Sequence, residues 1–160
     1  MMRVGLGVDV HAFSEPGEGR RLVLGGVEIP SERGLIGHSD ADVLAHAITD
    51  ALLGAAGLED IGYYFPDTDE RYREADSIWL LRGVRELVGA AWEVANVDAV
   101  VICERPKIRD HREAMRENLA AALRVEGTRV GVRGTTSERL GFTGRGEGIA
   151  AQAVCLLERP

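Results

Sequence analysis

Residues 4–11 read Val-Gly-Leu-Gly-Val-Asp-Val-His. Unbroken alternation of this length leaves the stretch one regular structure, an extended strand whose side chains point by turns to two faces. Val4, Leu6, Val8 and Val10 fall on one face, and Gly5, Gly7, Asp9 and His11 on the other. The glycine-bearing face also carries two side chains that bind metals or protons. This strand therefore joins the question of the fold to the question of the site.

The remaining elements follow from periodicity and punctuation. A second strand is expected around residues 21–29, where Gly25-Gly26 marks a bulge or a turn. Ser39 is a good N-cap with a carboxylate three residues on at Asp42, so a first helix is expected from there, with Val43, Leu44, Ala47, Ile48, Ala51 and Leu52 as its apolar stripe. Residues 57–69 read as a loop. A second helix is predicted over 75–91, with Ile78, Leu81, Val84 and Val88 inward. A strand over 96–104 ends before Pro106, and a third helix spans about 109–124. Strands near 128–134 and 149–158 flank a glycine-rich turn at 141–148. The order β-β-α-α-β-α-β-β describes an α/β (α+β) chain, a single-domain two-layer sandwich with a mixed sheet and helices on one side. Trp79, Trp92 and Met115 read as core or edge residues.

Composition excludes several classes. The 160 residues carry a net charge of −7 and show no cluster of cations, which argues against nucleic acid as a partner. No apolar run approaches the roughly 18 residues of a membrane span, and no basic-then-apolar export signal opens the chain. Two cysteines, Cys103 and Cys155, are too few for a disulfide framework and fit a reducing cytoplasm. Of 19 basic residues, only Lys107 is a lysine.

Asp9 and His11, two apart on a strand, project to one face roughly 7 Å apart and can converge on one ion. On the first helix Asp42, His46 and Asp50 are spaced four apart, and His46 would complete a His-His-Asp set if that helix crosses the strand. Three protein ligands and one open position describe a catalytic zinc site, and ferrous iron or manganese would suit the same donors. The plainer alternative is a polar strand tip beside a solvated helix face.

Other polar segments have two readings each. Asp60-Ile61-Gly62 and Phe65-Pro66-Asp67-Thr68-Asp69 are rich in ordinary turn residues. Thr135-Thr136-Ser137-Glu138, after a strand, offers three hydroxyls and a carboxylate to a phosphate and a divalent cation, or caps a turn. The glycine-dense 141–148 segment is neither a P-loop nor a dinucleotide fingerprint; it is an anion-binding nest or a tight turn.

Taken together, Gly7-Val8-Asp9-Val10-His11, His38-Ser39-Asp40, His46, Asp60-Ile61-Gly62, Phe65-Pro66-Asp67-Thr68-Asp69, Pro106-Lys107 and Thr135-Thr136-Ser137-Glu138 through Gly148 are far more specific than any one of them. Over essentially its full length the chain resembles the 2-C-methyl-D-erythritol 2,4-cyclodiphosphate synthases of the non-mevalonate isoprenoid pathway. The resemblance implies one synthase domain over residues 1–160, a cytoplasmic lyase of terpenoid biosynthesis. Asp9, His11 and His46 would hold one zinc per subunit. His38 and Thr136 would be catalytic, stabilising the transition state, and Glu138 would serve Mg2+ or Mn2+ bound with the diphosphate. Asp9, His11, His38 and Ser39 would also meet the substrate, as would Ser137 beside Thr136 and Glu138. Asp60, Ile61 and Gly62 would lie at the ribose, and Phe65, Asp67 and Asp69 near the methylerythritol unit. Cys103, Pro106, Lys107, Ile108 and Arg109 with Thr135 would shape the cytosine pocket. The family implies a homotrimer with sites between subunits, in which Phe142 and Arg145 line an axial cavity open to an isoprenoid diphosphate or another anion.

There are departures from the family pattern. Cys103-Glu104-Arg105 is bulkier and more polar than usual, Arg109 replaces an apolar residue, Tyr63-Tyr64 stands where a base is frequent, and Gln152 where an acid often faces the axial arginine. The implied reaction has a phosphate nucleophile that is already anionic. The missing Ser-His-Asp or Cys-His set is therefore no obstacle, and charge neutralisation and orientation are what a catalyst must supply. A zinc hydrolase of phosphate esters, with Asp40 or Asp42 assisting a water, and a binding module centred on Arg145 are the competing readings.

Overall fold

The first strand lies directly against the first helix, with almost nothing between them. In the computed structural model, which describes residues 1–159, β1 spans Met2–Ala12 and α1 spans Val43–Ala56. A Cβ on Gly5 would lie 1.9 Å from the carbonyl oxygen of Ala51, and one on Gly7 would lie 1.8 Å from that of Ala47. The helix meets the strand with Ala47, Ala51 and Ala55, four apart and all buried. Small residues on both sides bring the two backbones together. The glycine face of β1 is thus the core face, and Val4, Leu6 and Val8 are 68%, 63% and 50% exposed.

The segment expected as one strand over 21–29 is a hairpin, β2 (Leu22–Leu24) and β3 (Val27–Ile29), in a sheet of its own. Its two-residue turn, Gly25-Gly26, has φ of 57° and 71°, the left-handed pair that tight hairpins require. A four-residue helix, α2 (Ile61–Tyr64), interrupts the expected 57–69 loop. Next come α3 (Ser77–Gly89), β4 (Glu93–Ile102) and α4 (Arg112–Leu123), which is preceded by a 3-10 turn over Arg109–His111. β5 (Val130–Thr135), a short α5 (Gly141–Gly144) and β6 (Gly148–Glu158) complete the chain. The four-stranded sheet has the order β1-β6-β4-β5. Only the β4–β5 pair is parallel, so the sheet is mixed as expected.

The helices cover one face. Ala151, Ala153, Cys155 and Leu157 of β6, Val97, Ala99 and Val101 of β4, and Val130 and Val132 of β5 point into the core they cover. There they pack with Leu44, Ile48, Leu81, Met115 and Leu119. Ile78, Leu81, Val84 and Val88 are buried on α3 as the periodicity predicts. Met115 and Trp92 are buried too, whereas Trp79 is exposed. Among the described residues, no helix is long and apolar enough to cross a membrane.

Candidate active site

α1 does not begin at Ser39. Ala41 adopts a positive φ of 57°, which no continuing helix tolerates, and the cap is Asp42. Its carboxylate accepts from Ala45 N at 3.0 Å and also from Gly25 N and Gly26 N at 2.9 and 2.8 Å. One buried carboxylate therefore fastens the β2–β3 hairpin to the start of α1. Burial raises its pKa to about 6, and its backbone donors only partly oppose that. Asp42 thus leaves the polar stripe expected from the sequence and is structural.

His46, one turn further on, faces the strand. One donor atom from each of Asp9, His11 and His46 lies within 4.8 Å of the others. Asp9 Oδ2 stands 3.1 Å from both His11 Nε2 and His46 Nδ1. Burial opposes ionisation of Asp9, but the bonds from the two histidines outweigh it and hold the carboxylate at about 2. Burial likewise disfavours charge on His46, yet Asp9 wins and raises its pKa. A metal would therefore have to displace a proton shared in this group.

The ring nitrogens facing away decide whether the set fits a metal. His11 Nδ1 is 2.7 Å from the carbonyl of Ile36, an acceptor only, so it carries a proton, and Nε2 is the nitrogen left to a metal once the proton it shares with Asp9 is displaced. His46 Nε2 is 2.7 Å from Ser77 Oγ, whose own hydroxyl donates to Asp40. Ser77 therefore accepts from His46, and Nδ1 is the nitrogen left to a metal when the proton bonded to Asp9 is displaced. With those protons displaced, two imidazole lone pairs and a carboxylate would converge with both outer nitrogens engaged, which is the donor set of a metal site with its supporting partners.

His38 and Ser39 lie in the segment leading to α1. His38 Nε2 donates to the Asp69 carbonyl at 2.9 Å, while Glu74 N bonds the His38 carbonyl at 2.8 Å. Ser39 Oγ accepts from Ala41 N and stands 3.3 Å from His46 Nε2, turned toward the triad instead of capping the helix. Arg20 grips this segment from the other side, donating to the carbonyls of Leu35, Gly37 and Ser39 at 2.5, 3.0 and 2.9 Å. In the 60–69 stretch the turn reading holds for the side chains. Asp60 caps α2, Ile61 N donates to Asp50, and Asp69 caps the 3-10 turn over Glu70–Tyr72. Asp69 also pairs with Arg71, whose hydrogen bonds lower its pKa. Phe65 stacks edge-on against Tyr72.

A cavity of about 280 Å³ opens at the far edge of the sheet. Cys103, Pro106, Lys107, Ile108, Arg109, Thr135 and Thr136 line it, together with Arg112 and Gly134. None of Lys107, Arg109 and Arg112 pairs with a carboxylate among the described residues, so the pocket is cationic in an acidic chain. The Cys103 thiol is pushed up to about 11 by burial, and Lys107 only partly opposes this. Glu104, one of the departures from the family pattern, accepts from Arg139 N at 2.8 Å and ties the two pocket walls together. Beyond the pocket, Thr136 Oγ1 donates to Glu138, while Ser137 Oγ bonds the Leu140 carbonyl and Thr143. Phe142 sits on α5, and Arg145 pairs with Glu147 in its own chain.

Residues 2–158 match the model of the YgbB family. The chain belongs to that family. It is 85% identical, over 98% of its own length and 95% of the other, to the 2-C-methyl-D-erythritol 2,4-cyclodiphosphate synthase of Rubrobacter xylanophilus. It superposes on the bifunctional IspDF of Campylobacter jejuni with a TM-score of 0.94 at 44% identity; all of this chain is matched, but it spans only 43% of that longer protein. The CDP complex of Plasmodium falciparum IspF gives a TM-score of 0.86 at 34% identity, covering 99% of this chain and 96% of that one. The resemblance read from the sequence is thereby borne out for both the family and the enzyme.

Within the family frame, the structure brings Asp9, His11 and His46 together, with His38 and Ser39 close by. It gathers Cys103, residues 106–109 and residues 135–136 into a separate pocket. Sequence reasoning did not single out Arg20, Ser77, Arg112 or Gly134. Arg112 carried a weak signal, because it lies one helical turn after Arg109. Ser77 carried none, being 31 residues from the histidine it supports.

Proposed function

We propose that this protein is a metal-dependent synthase. It closes 4-diphosphocytidyl-2-C-methyl-D-erythritol 2-phosphate into 2-C-methyl-D-erythritol 2,4-cyclodiphosphate and releases CMP, working in the cytoplasm as one domain over residues 1–160. The observation that carries the reading is the triad of Asp9, His11 and His46, assembled with both outer ring nitrogens engaged. An oxygen of the 2-phosphate attacks the β-phosphorus. The bond from that phosphorus to the oxygen bridging the α-phosphate breaks, and CMP departs with that oxygen.

The nucleophile needs no strong base. The barrier lies in bringing anions together and in closing the ring, where orientation supplies up to roughly 7–11 kcal/mol. Zinc held by Asp9, His11 and His46 would supply charge neutralisation and polarise a phosphoryl oxygen. Glu138, oriented by Thr136, would hold Mg2+ or Mn2+ alongside the diphosphate. Lys107, Arg109 and Arg112 give the pocket the charge that a cytidyl phosphate seeks, and Cys103, Pro106, Ile108 and Thr135 form its walls. His38 and Ser39 are assigned to the transferring phosphate, with Thr136 and Ser137 meeting it from the pocket side. Asp60, Ile61 and Gly62 are assigned to the ribose, and Phe65, Asp67 and Asp69 to the methylerythritol unit.

The working unit is a homotrimer. The triad sits on β1 and the pocket at β5, opposite edges of the sheet, separated by β6 and β4. Three strand spacings amount to about 14 Å. That separation supports a shared site, in which a neighbour's pocket would meet this chain's triad. The exposed apolar face of β1 gives subunits a surface to share. Phe142 and Arg145 would then approach the axis, where Gln152 brings no charge and an isoprenoid diphosphate or another anion would compete with Glu147 for the arginines.

Incubation with the cytidyl substrate and zinc tests the reaction. Cyclic diphosphate and CMP in equal amounts are expected. Ring-opened phosphates would instead support a hydrolase, and tight binding without turnover a binding module.

A further inference from the structure

Ser77 is the first residue of α3, fully buried, and belongs to no segment implied to meet substrate. Its Oγ nevertheless lies 2.7 Å from His46 Nε2, and its hydroxyl proton is given to Asp40 Oδ1. The same carboxylate accepts from Ser77 N at 3.0 Å through Oδ2 and from Asp42 N at 3.2 Å. Asp40 is thus held by two backbone groups and directed at one hydroxyl. Ser39 Oγ stands at 3.3 Å from the same ring nitrogen, too far to compete well with Ser77.

We propose that Asp40 and Ser77 form a positioning relay for His46, fixing its proton on Nε2 so that Nδ1 presents its lone pair to the metal beside Asp9. This rests on the metal reading of the triad. The chemistry is that of a carboxylate behind a metal-bound histidine, here with one hydroxyl interposed. The relay does three things. It selects one tautomer, it stops the ring from turning about χ2, and it places negative charge behind the imidazole, which strengthens Nδ1 as a donor. His11 needs no such device, because the Ile36 carbonyl fixes its tautomer directly. The relay also ties the metal site to the start of α3. That start is joined to the His38 segment by the bonds from Asp40 N to the Ala75 carbonyl and from Glu74 N to the His38 carbonyl.

Competition for zinc against a chromogenic chelator, on the purified full chain, tests the relay without reference to turnover. Wild type should bind one zinc and His46→Ala should lose it; failure of that pair would overturn the metal reading itself. With that pair in place, Ser77→Ala should bind zinc roughly 10–100-fold more weakly. Wild-type affinity in Ser77→Ala would overturn the relay and leave the triad standing. Nitrogen-15 spectra of the zinc-loaded wild type give a second measurement that does not depend on the variant folding. The His46 ring should show Nε2 protonated and Nδ1 metal-bound. The opposite assignment would overturn the proposal.

Discussion

Gly7 stands so close to α1 that a methyl group at its Cα would lie 1.8 Å from the carbonyl oxygen of Ala47. That contact sets the distance between the strand bearing Asp9 and His11 and the helix bearing His46. Gly7→Ala must push the two elements apart or twist β1. The cost should reach about 3 kcal/mol or more, the upper end for overpacking, because backbone and not a flexible side chain is in the way. Metal content should fall with stability, since the triad spans the strained contact. Urea denaturation with elemental analysis checks both, and a variant with wild-type stability and full zinc would show that β1 and α1 can part freely.

How legible this was differs from residue to residue. The alternation over residues 4–11 announced the strand, but not which face is core. Apolar side chains ordinarily point inward, yet here glycines do, because an alanine-striped helix needs the room. That fact belongs to the pairing of two segments and not to either alone. Ser39 resembled a helix cap by residue type, but Ala41 turns the chain before Asp42 takes that role. The triad was readable because a two-residue spacing on a strand and a histidine on the next helix suffice to suggest it. Ser77 and Arg20 were not, since hydrogen bonds across 31 and 15 to 19 residues leave no local pattern.

The exposed face of β1 supplies the second prediction. Leu6 and Val154 are paired across the sheet and both point away from the helices. In a trimer built on this face they are buried, and Leu6→Lys should yield monomers that still fold. Light scattering should give a mass of three chains for wild type and one for the variant. A monomeric wild type would sink the shared site, since no neighbouring pocket would then face the triad.

Asp42 predicts a pH dependence whose sign can be worked out. Its folded pKa of about 6 lies above the ordinary 3.8, because burial penalises the charge. Its proton-linked contribution to stability is therefore full below 3.8 and is lost as pH rises through about 6. Asp42→Asn removes that linkage and sets an amide N–H against a backbone donor among Gly25, Gly26 and Ala45. The variant should lose about 1–3 kcal/mol, and its deficit against wild type should shrink between pH 4 and 7. A deficit that stays level over this range, in urea titrations at fixed pH steps, would mean the carboxylate is ionised throughout.

Lys107 stands out against the composition. A chain that uses arginine at every other basic position keeps one lysine, and the structure puts it in the wall of the cationic pocket. Arg109 and Arg112 already present guanidinium groups to the same cavity of about 280 Å³. A third planar fork would have to find room beside Pro106 and the buried thiol of Cys103, whereas an ammonium is a compact point charge on a flexible stem. Lys107 faces a second cavity as well, shared with Arg105 and Arg145, so an arginine there could turn away from the nucleotide altogether. Lys107→Arg should therefore fold normally and keep its zinc, because β4, β5 and the triad are untouched. Its affinity for CDP should fall at least several-fold, roughly 1 kcal/mol or more. Calorimetric titration with CDP decides the matter: wild-type affinity in Lys107→Arg would mean that the pocket accepts either cation and that the lone lysine carries no information about it.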